Sequence, residues 1–288
     1  MDFRKYLEKQ QYSTNTIESY LKASDKFLEW LKEEGIKPHE ARYNDMLAFI
    51  RHETNAGQTK RQINAYLTVI RHYFNYLIKI GKAKDNVAAN LYIQGVSRRI
   101  PHDLLDEETL KNIYEKYPVK GFIGKRNRAI LGMMVYQGLT TEELAKLELE
   151  HIQIKEGKIY VPGSRRSNSR ILPLAAQQVM ELHDYINKTR LLILEITEKE
   201  NNKLFTSIGV SGRFHNIMDK LLKNVRKYIP ELKSAKQIRM SVITYWLEKF
   251  NLREVQYMAG HRYVSSTERY QLTNLDDLQN DLNEYHPL

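Results

Sequence analysis

Residues 236–271 read KQIRMSVITYWLEKFNLREVQYMAGHRYVSSTERYQ. Apolar residues recur there at helical spacing, which predicts helices over Ala235–Lys249 and Leu252–Met258 and a short helical segment around Thr267–Tyr270. Three side chains with chemistry stand on this frame. Arg239 lies inside the first helix, His261 follows Gly260, and Tyr270 stands nine residues beyond the histidine. Taken singly, each has a plain structural reading. Tyr270 is one of 19 tyrosines, and a tyrosine chosen at random is a core or interface residue. A lone histidine is more often structural, and a lone arginine more often meets a carboxylate or a phosphate. Their joint spacing makes all three site candidates.

Upstream, TTEELAKL (140–147) reads as a short helix, with Thr140 as its cap and Glu143 as a first-turn acid favoured by the helix dipole. Before it come a helix capped by Asp106 and a long apolar helix over about Lys125–Gln137, closed by Gly138. The β signal follows. HIQIKEGKIYVPG (151–163) alternates, turns at Glu156–Gly157 and alternates again, and RILPL (170–174) forms a third short strand. Helices are expected over Ala175–Ile196 and Ser211–Tyr228.

The amino-terminal part has a separate helical pattern. Asn15 and Glu18 have capping-box spacing ahead of Ile17, Leu21, Phe27 and Leu31. Further helices are expected over Tyr43–His52 and Thr59–Ile80, the latter with the stripe Ile63, Leu67, Ile70, Phe74 and Leu77. A turn and small helix over DNVAANLYI (85–93) close the bundle, and residues 94–105, rich in Gly, Ser, Arg and Pro, read as a linker. The expected domains are therefore 1–93 and 106–288.

Composition narrows the partners. Among 288 residues, 45 are Lys or Arg and 35 are Asp or Glu, giving a net charge of +10. Cysteine is absent, which excludes a disulfide scaffold, Cys-ligated zinc and thiol catalysis. No apolar run reaches the ~18 residues of a spanning helix, so a soluble cytoplasmic protein is expected, without membrane contact. The positive charge clusters. Lys60, Arg61 and Arg71 lie on one helix, Arg98 and Arg99 in the linker, and Arg165, Arg166 and Arg170 in the loop 163–170. Arg213 and Lys220 open a basic stretch with eight basic and two acidic residues over 211–239. Patches on both domains suit a protein that neutralises duplex phosphates with two lobes. Residues 274–284 are the opposite: four acids, no base, and Leu275, Leu278 and Leu282 on one side, a helix able to fold back on its own body or dock on a basic neighbour.

The quoted stretch resembles the signature of the tyrosine recombinases, the phage integrase and Xer-like family. Arg239 matches the arginine of that family's His-x-x-Arg box, Gly260–His261 its Gly-His pair, and Tyr270 its tyrosine. Gly138, Leu139, Glu143 and Leu144 match the Thr-Gly-Leu-Arg-x-x-Glu-Leu segment, and the resemblance covers essentially the whole chain. It implies a mainly α fold with a small antiparallel sheet, a two-domain DNA clamp of core-binding bundle plus catalytic domain. It implies site-specific recombination through a 3′-phosphotyrosyl intermediate, with neither metal nor cofactor. It implies assembly on double-stranded DNA as a dimer to tetramer through the carboxyl-terminal helix, or with a related active recombinase.

Tyr270 would be the nucleophile, Arg239 would neutralise charge on the phosphorane oxygens, His261 would add a hydrogen bond, and Glu143 would buttress an arginine. Three positions depart. Thr140 replaces the first arginine, Lys236 the box histidine, and Asn168 the hairpin lysine. Lys236 returns one positive charge, as a point charge rather than a planar fork. The departures imply weakened cleavage; the rival expectation is a cleavage-deficient DNA-binding accessory or regulator.

Overall fold

The computed structural model describes residues 2–96, 101–165, 167–198, 200–208 and 213–271. The chain divides into two compact units, Met1–Arg98 and Arg99–Leu288.

The first unit is helical: α1 (Phe3–Lys9), α2 (Thr14–Glu33), α3 (Tyr43–Asn55) and α4 (Lys60–Lys79). Helix α2 starts two residues earlier than the Asn15–Glu18 spacing predicts. Ser13 is its cap, accepting from the Thr16 N–H at 3.4 Å. Helix α1 was not expected; Asp2 caps it by accepting from the Lys5 N–H at 2.7 Å. The apolar stripe of α4 packs with Phe27, Trp30, Leu31, Met46 and Phe49 in one buried cluster. Each such side chain contributes roughly 1.5–3 kcal/mol when fully buried.

The segment 85–93 forms turns, not the expected small helix. Side chains take the place of helical hydrogen bonds there. Asn64 both donates to the Ile93 carbonyl (2.9 Å) and accepts from the Ile93 N–H (2.8 Å). Arg71 donates to the Leu91 carbonyl at 2.7 Å and lies over the Tyr92 ring at 4.3 Å. Arg71, read from sequence as a DNA contact, is a strap for its own chain.

The second unit contains α5 (Glu107–Glu115), α6 (Gly121–Val135), α7 (Thr141–Lys146), β1 (Ile152–Gln153), β2 (Lys158–Val161), β3 (Arg170–Pro173), α8 (Ala176–Asp184), α9 (Arg190–Thr197), α10 (Phe214–Val225), α11 (Ala235–Lys249) and α12 (Leu252–Ala259). Helix α6 is buried on nearly every side, from Gly124 to Val135, and is the spine of this core. The strands form one antiparallel sheet in the order β1-β2-β3, with Ile159 opposite Leu172 and Val161 opposite Arg170. One face buries Ile159, Val161 and Leu172; Tyr160 and Ile171 face outward. Between α8 and α9 the expected single helix carries a π turn at Tyr185–Thr189, where the Tyr185 hydroxyl donates to the Leu204 carbonyl at 2.9 Å. Residues 265–271 are helical. Arg98, Arg99, Arg166 and the acidic helix expected at 274–284 lie outside the described residues. Among the described residues, no helix is long and apolar enough to cross a membrane.

Candidate functional site

Arg239 sits in the first turns of α11 and reaches across to two chain ends. Its Nη1 donates to the Gly138 carbonyl at 2.5 Å and its Nη2 to the Ala259 carbonyl at 2.6 Å. Both acceptors belong to turns closed by glycines in the left-handed region, Gly138 at φ 59° and Gly260 at φ 67°. One guanidinium thus ties the end of α6 to the end of α12.

Below it lies Glu143. Its Oε2 is 3.6 Å from Arg239 Nη1 and also accepts from the Thr140 N–H (2.9 Å) and hydroxyl (3.0 Å). Thr140 caps α7, its hydroxyl accepting from the Glu143 N–H at 3.2 Å. The position that the resemblance gives to an arginine is therefore a closed capping box. Glu143 Oε1 accepts from Arg170 Nη1 at 2.7 Å, and Arg170 Nε donates to the Met258 carbonyl at 2.7 Å. The Arg170 side chain is 0% exposed. That corrects the expectation that Arg170 is a loop residue free to meet a DNA phosphate: it opens β3 with its side chain on the inner face.

The β2–β3 loop closes on the turn after α12. The Asn168 N–H donates to the Gly260 carbonyl at 2.9 Å, Ser167 pairs with His261 as an isolated antiparallel bridge, and Arg262 donates to the Arg165 carbonyl at 2.8 Å. Asn168 contributes its main chain and leaves its side chain exposed. A Cβ on Gly260 would collide with the Arg170 guanidinium.

His261 bonds through Nδ1 to the Thr267 hydroxyl at 2.9 Å, and its ring stacks on Tyr270 with centroids 5.9 Å apart and planes 17° from parallel. The Tyr270 hydroxyl accepts from Arg269 Nη2 at 2.9 Å, and Tyr270 is 2% exposed.

Burial pushes the His261 imidazole down to about 3, helped by the positive charges of Arg239, Arg269 and Arg170, so the ring is neutral at neutral pH. Burial alone would raise the Glu143 carboxyl; the Arg170 hydrogen bond and charge, with Arg239 and the Thr140 N–H, hold it below its ordinary range. Burial lowers the Arg239 guanidinium against the opposing pull of Glu143. Two guanidiniums, those of Arg170 and Arg239, face the Glu143 carboxylate, and the charge of Arg269 acts on the neighbouring His261. A cavity of about 230 Å³ opens onto it, lined by Thr140, Glu142, Glu143, Pro162, Arg239 and His261.

Lys236 is exposed at a second cavity, of about 190 Å³, lined also by Pro101, Asp103, Lys233, Gln237 and by Arg269, the residue that donates to the Tyr270 hydroxyl. Arg213 and Lys220 line a third, of about 480 Å³, and Lys60 and Arg61 are exposed at the start of α4. Among the described residues, no group of three or more His, Asp or Glu side chains forms a metal site. Sequence reading missed Arg269, Thr267 and the role of Arg170. For Arg170 a signal existed: period-two alternation through RILP puts it on the face of Leu172.

The sheet, the helix ends and the Arg–His–Tyr cluster place the second unit in the class of tyrosine-recombinase catalytic domains. The family model for the phage integrase family matches residues 103–276, and that for the phage integrase N-terminal SAM-like domain matches residues 1–81. The chain belongs to the phage integrase family, the tyrosine recombinases.

It is 26% identical over 297 residues to the tyrosine recombinase XerC of Bacillus pumilus (strain SAFR-032), covering 99% of this chain and 95% of the relative. It is 28% identical over 291 residues to XerC of Pelotomaculum thermopropionicum, covering 96% and 93%. Among solved structures, the XerH site-specific recombinase bound to a palindromic difH substrate, a post-cleavage complex, is similar at TM-score 0.71 and 18% identity, covering 97% and 82%. A lambda integrase tetramer bound to a Holliday junction is similar at TM-score 0.59 and 14% identity, covering 93% and 74%. At these identities the structural likeness is one of fold.

Proposed function

We propose that the chain binds duplex DNA and exchanges strands site-specifically, with Tyr270 as nucleophile. The observation that carries this reading is the stack of His261 on Tyr270 beside Arg239, with a cavity adjoining that Arg239 and His261 both line. The Tyr270 oxygen forms a bond to the scissile phosphorus and the bond to the 5′ oxygen breaks, leaving a 3′-phosphotyrosyl link and a free 5′-hydroxyl. The phenol proton passes to water. Arg239 and the neutral His261 donate hydrogen bonds to the oxygens that gain charge. Because Tyr270 is covered in the free chain, DNA binding precedes its presentation.

Thr140 gives the cleavage step a handicap, since its hydroxyl and N–H are both spent on Glu143. Removing one preorganised donor costs ~10²–10³ in rate. The same observation supports the rival reading, a DNA-binding accessory that no longer cuts. We place the bundle 1–93 and the residues 106–288 on one duplex, joined by 94–105, as a homo-oligomer built through 274–284 or with a related active recombinase. A duplex nicked near its cleavage point, which loses the 5′-hydroxyl fragment and traps the adduct, separates the two. Cleavage gives a covalent adduct that Tyr270→Phe abolishes; binding without adduct supports the accessory.

A further inference from the structure

We propose that Arg269 is a catalytic residue of this site, its guanidinium holding the Tyr270 oxygen with one arm and the scissile phosphate with another. The inference rests on the reading of Tyr270 as nucleophile. Three guanidiniums act on His261, those of Arg239, Arg269 and Arg170. Arg239 has one arm on the Gly138 carbonyl and another on the Ala259 carbonyl. Arg170 has Nη1 on Glu143 and Nε on the Met258 carbonyl; its Nη2 also lacks a partner, but the side chain is 0% exposed and lines neither cavity. Thr140 has no cation to offer.

Arg269 differs from both. Its Nη2 is already 2.9 Å from the nucleophilic oxygen. Its Nε is buried and has no hydrogen-bond partner. Its side chain also lines the cavity shared with Lys236, Gln237 and Met240. The Arg269 Nε has a donor to give at the cavity wall, and a planar fork suits the oxygens of a phosphoryl group. One residue therefore spans both ends of the bond that forms.

In the step, the Tyr270 Oη–phosphorus bond forms as the phosphorus–5′-oxygen bond breaks. The phenol proton goes to water, the departing oxygen takes one from water, and Arg269 contributes hydrogen bonds only. Spacing did not flag it, because an arginine beside a tyrosine on a helix reads as a solvated residue.

The test uses the full chain and a duplex selected by binding from a random-sequence pool, nicked near its centre. It compares an ordinary phosphate with a neutral methylphosphonate at the scissile position. Arg269→Ala is expected to slow single-turnover adduct formation about 100-fold on phosphate and only a few-fold on methylphosphonate. Arg269→Lys should recover part of the loss. Equal rates for Arg269→Ala and wild type, or a defect of the same size on both substrates, overturns the proposal.

Should the wild type bind but form no adduct, the strand-exchange reading fails while the Arg269 contact is still tested. In a Tyr270→Phe background, Arg269→Ala is then expected to weaken binding to the phosphate duplex about tenfold and to leave binding to a duplex with central methylphosphonates unchanged. Equal losses on both overturn the contact.

Discussion

Arg170 and Glu143 form an ion pair of 2.7 Å in which the arginine side chain is 0% exposed. It joins β3 to α7, and Arg239 leans on the same carboxylate at 3.6 Å. Removing one partner strands an unpaired buried charge, which costs about 3–5 kcal/mol. Arg170→Met is expected to destabilise the second unit by that amount in urea unfolding, with DNA cleavage lost through displacement of Arg239. A change under about 1 kcal/mol would show that the pair carries no structural load.

His261 gives stability a pH dependence of definite sign. Its folded-state value is pushed down to about 3 from the ordinary 6.5. The unfolded chain therefore takes up a proton as pH falls through 6.5 while the folded chain does not. Stability is full above that value and falls on acidification, by at most about 1.4 kcal/mol per pH unit. Glu143 adds a loss at lower pH, below its ordinary 4.5, as its depressed carboxyl is finally protonated. Urea midpoints between pH 7 and 4 should drop faster for the wild type than for His261→Gln. Parallel curves would mean the imidazole titrates alike in both states.

Gly260 turns at φ 67°, and a Cβ there meets the Arg170 guanidinium. Gly260→Ala should cost about 1–2 kcal/mol for the left-handed backbone alone, and more for the displaced arginine. A fall in Tm of several degrees checks this, and an unchanged Tm refutes it.

Affinity for duplex DNA should fall steeply with salt, because each neutralised phosphate contributes a slope of about −0.9 in log K against log salt. Arg213→Ala with Lys220→Ala should flatten that slope by about 2, and Lys60→Ala by about 1. Fluorescence anisotropy across a salt series measures both. Slopes identical to the wild type would remove these side chains from the interface.

The sequence was most legible where local rules and burial agree. Thr59, Asp106 and Ser234 cap helices at the boundaries that periodicity marks, and the alternation around Glu156–Gly157 yields the observed hairpin. The spacing of Arg239, His261 and Tyr270 leads to side chains that meet. Legibility failed where a polar side chain serves the chain's own interior. Arg170 and Arg71 look like phosphate contacts in a basic sequence, yet one answers Glu143 and the other the Leu91 carbonyl. Such partners lie 27 and 20 residues away, so local sequence does not name them, even where the alternation through RILP marks Arg170 as inward-facing.

The most direct measurement is mass spectrometry of the peptide that carries DNA after reaction with a nicked duplex. A nucleotide adduct on Tyr270, linked to the 3′ phosphate and absent from Tyr270→Phe, is expected. An adduct on another residue, or DNA bound and released with every tyrosine unmodified, would contradict the assignment of Tyr270 as the nucleophile.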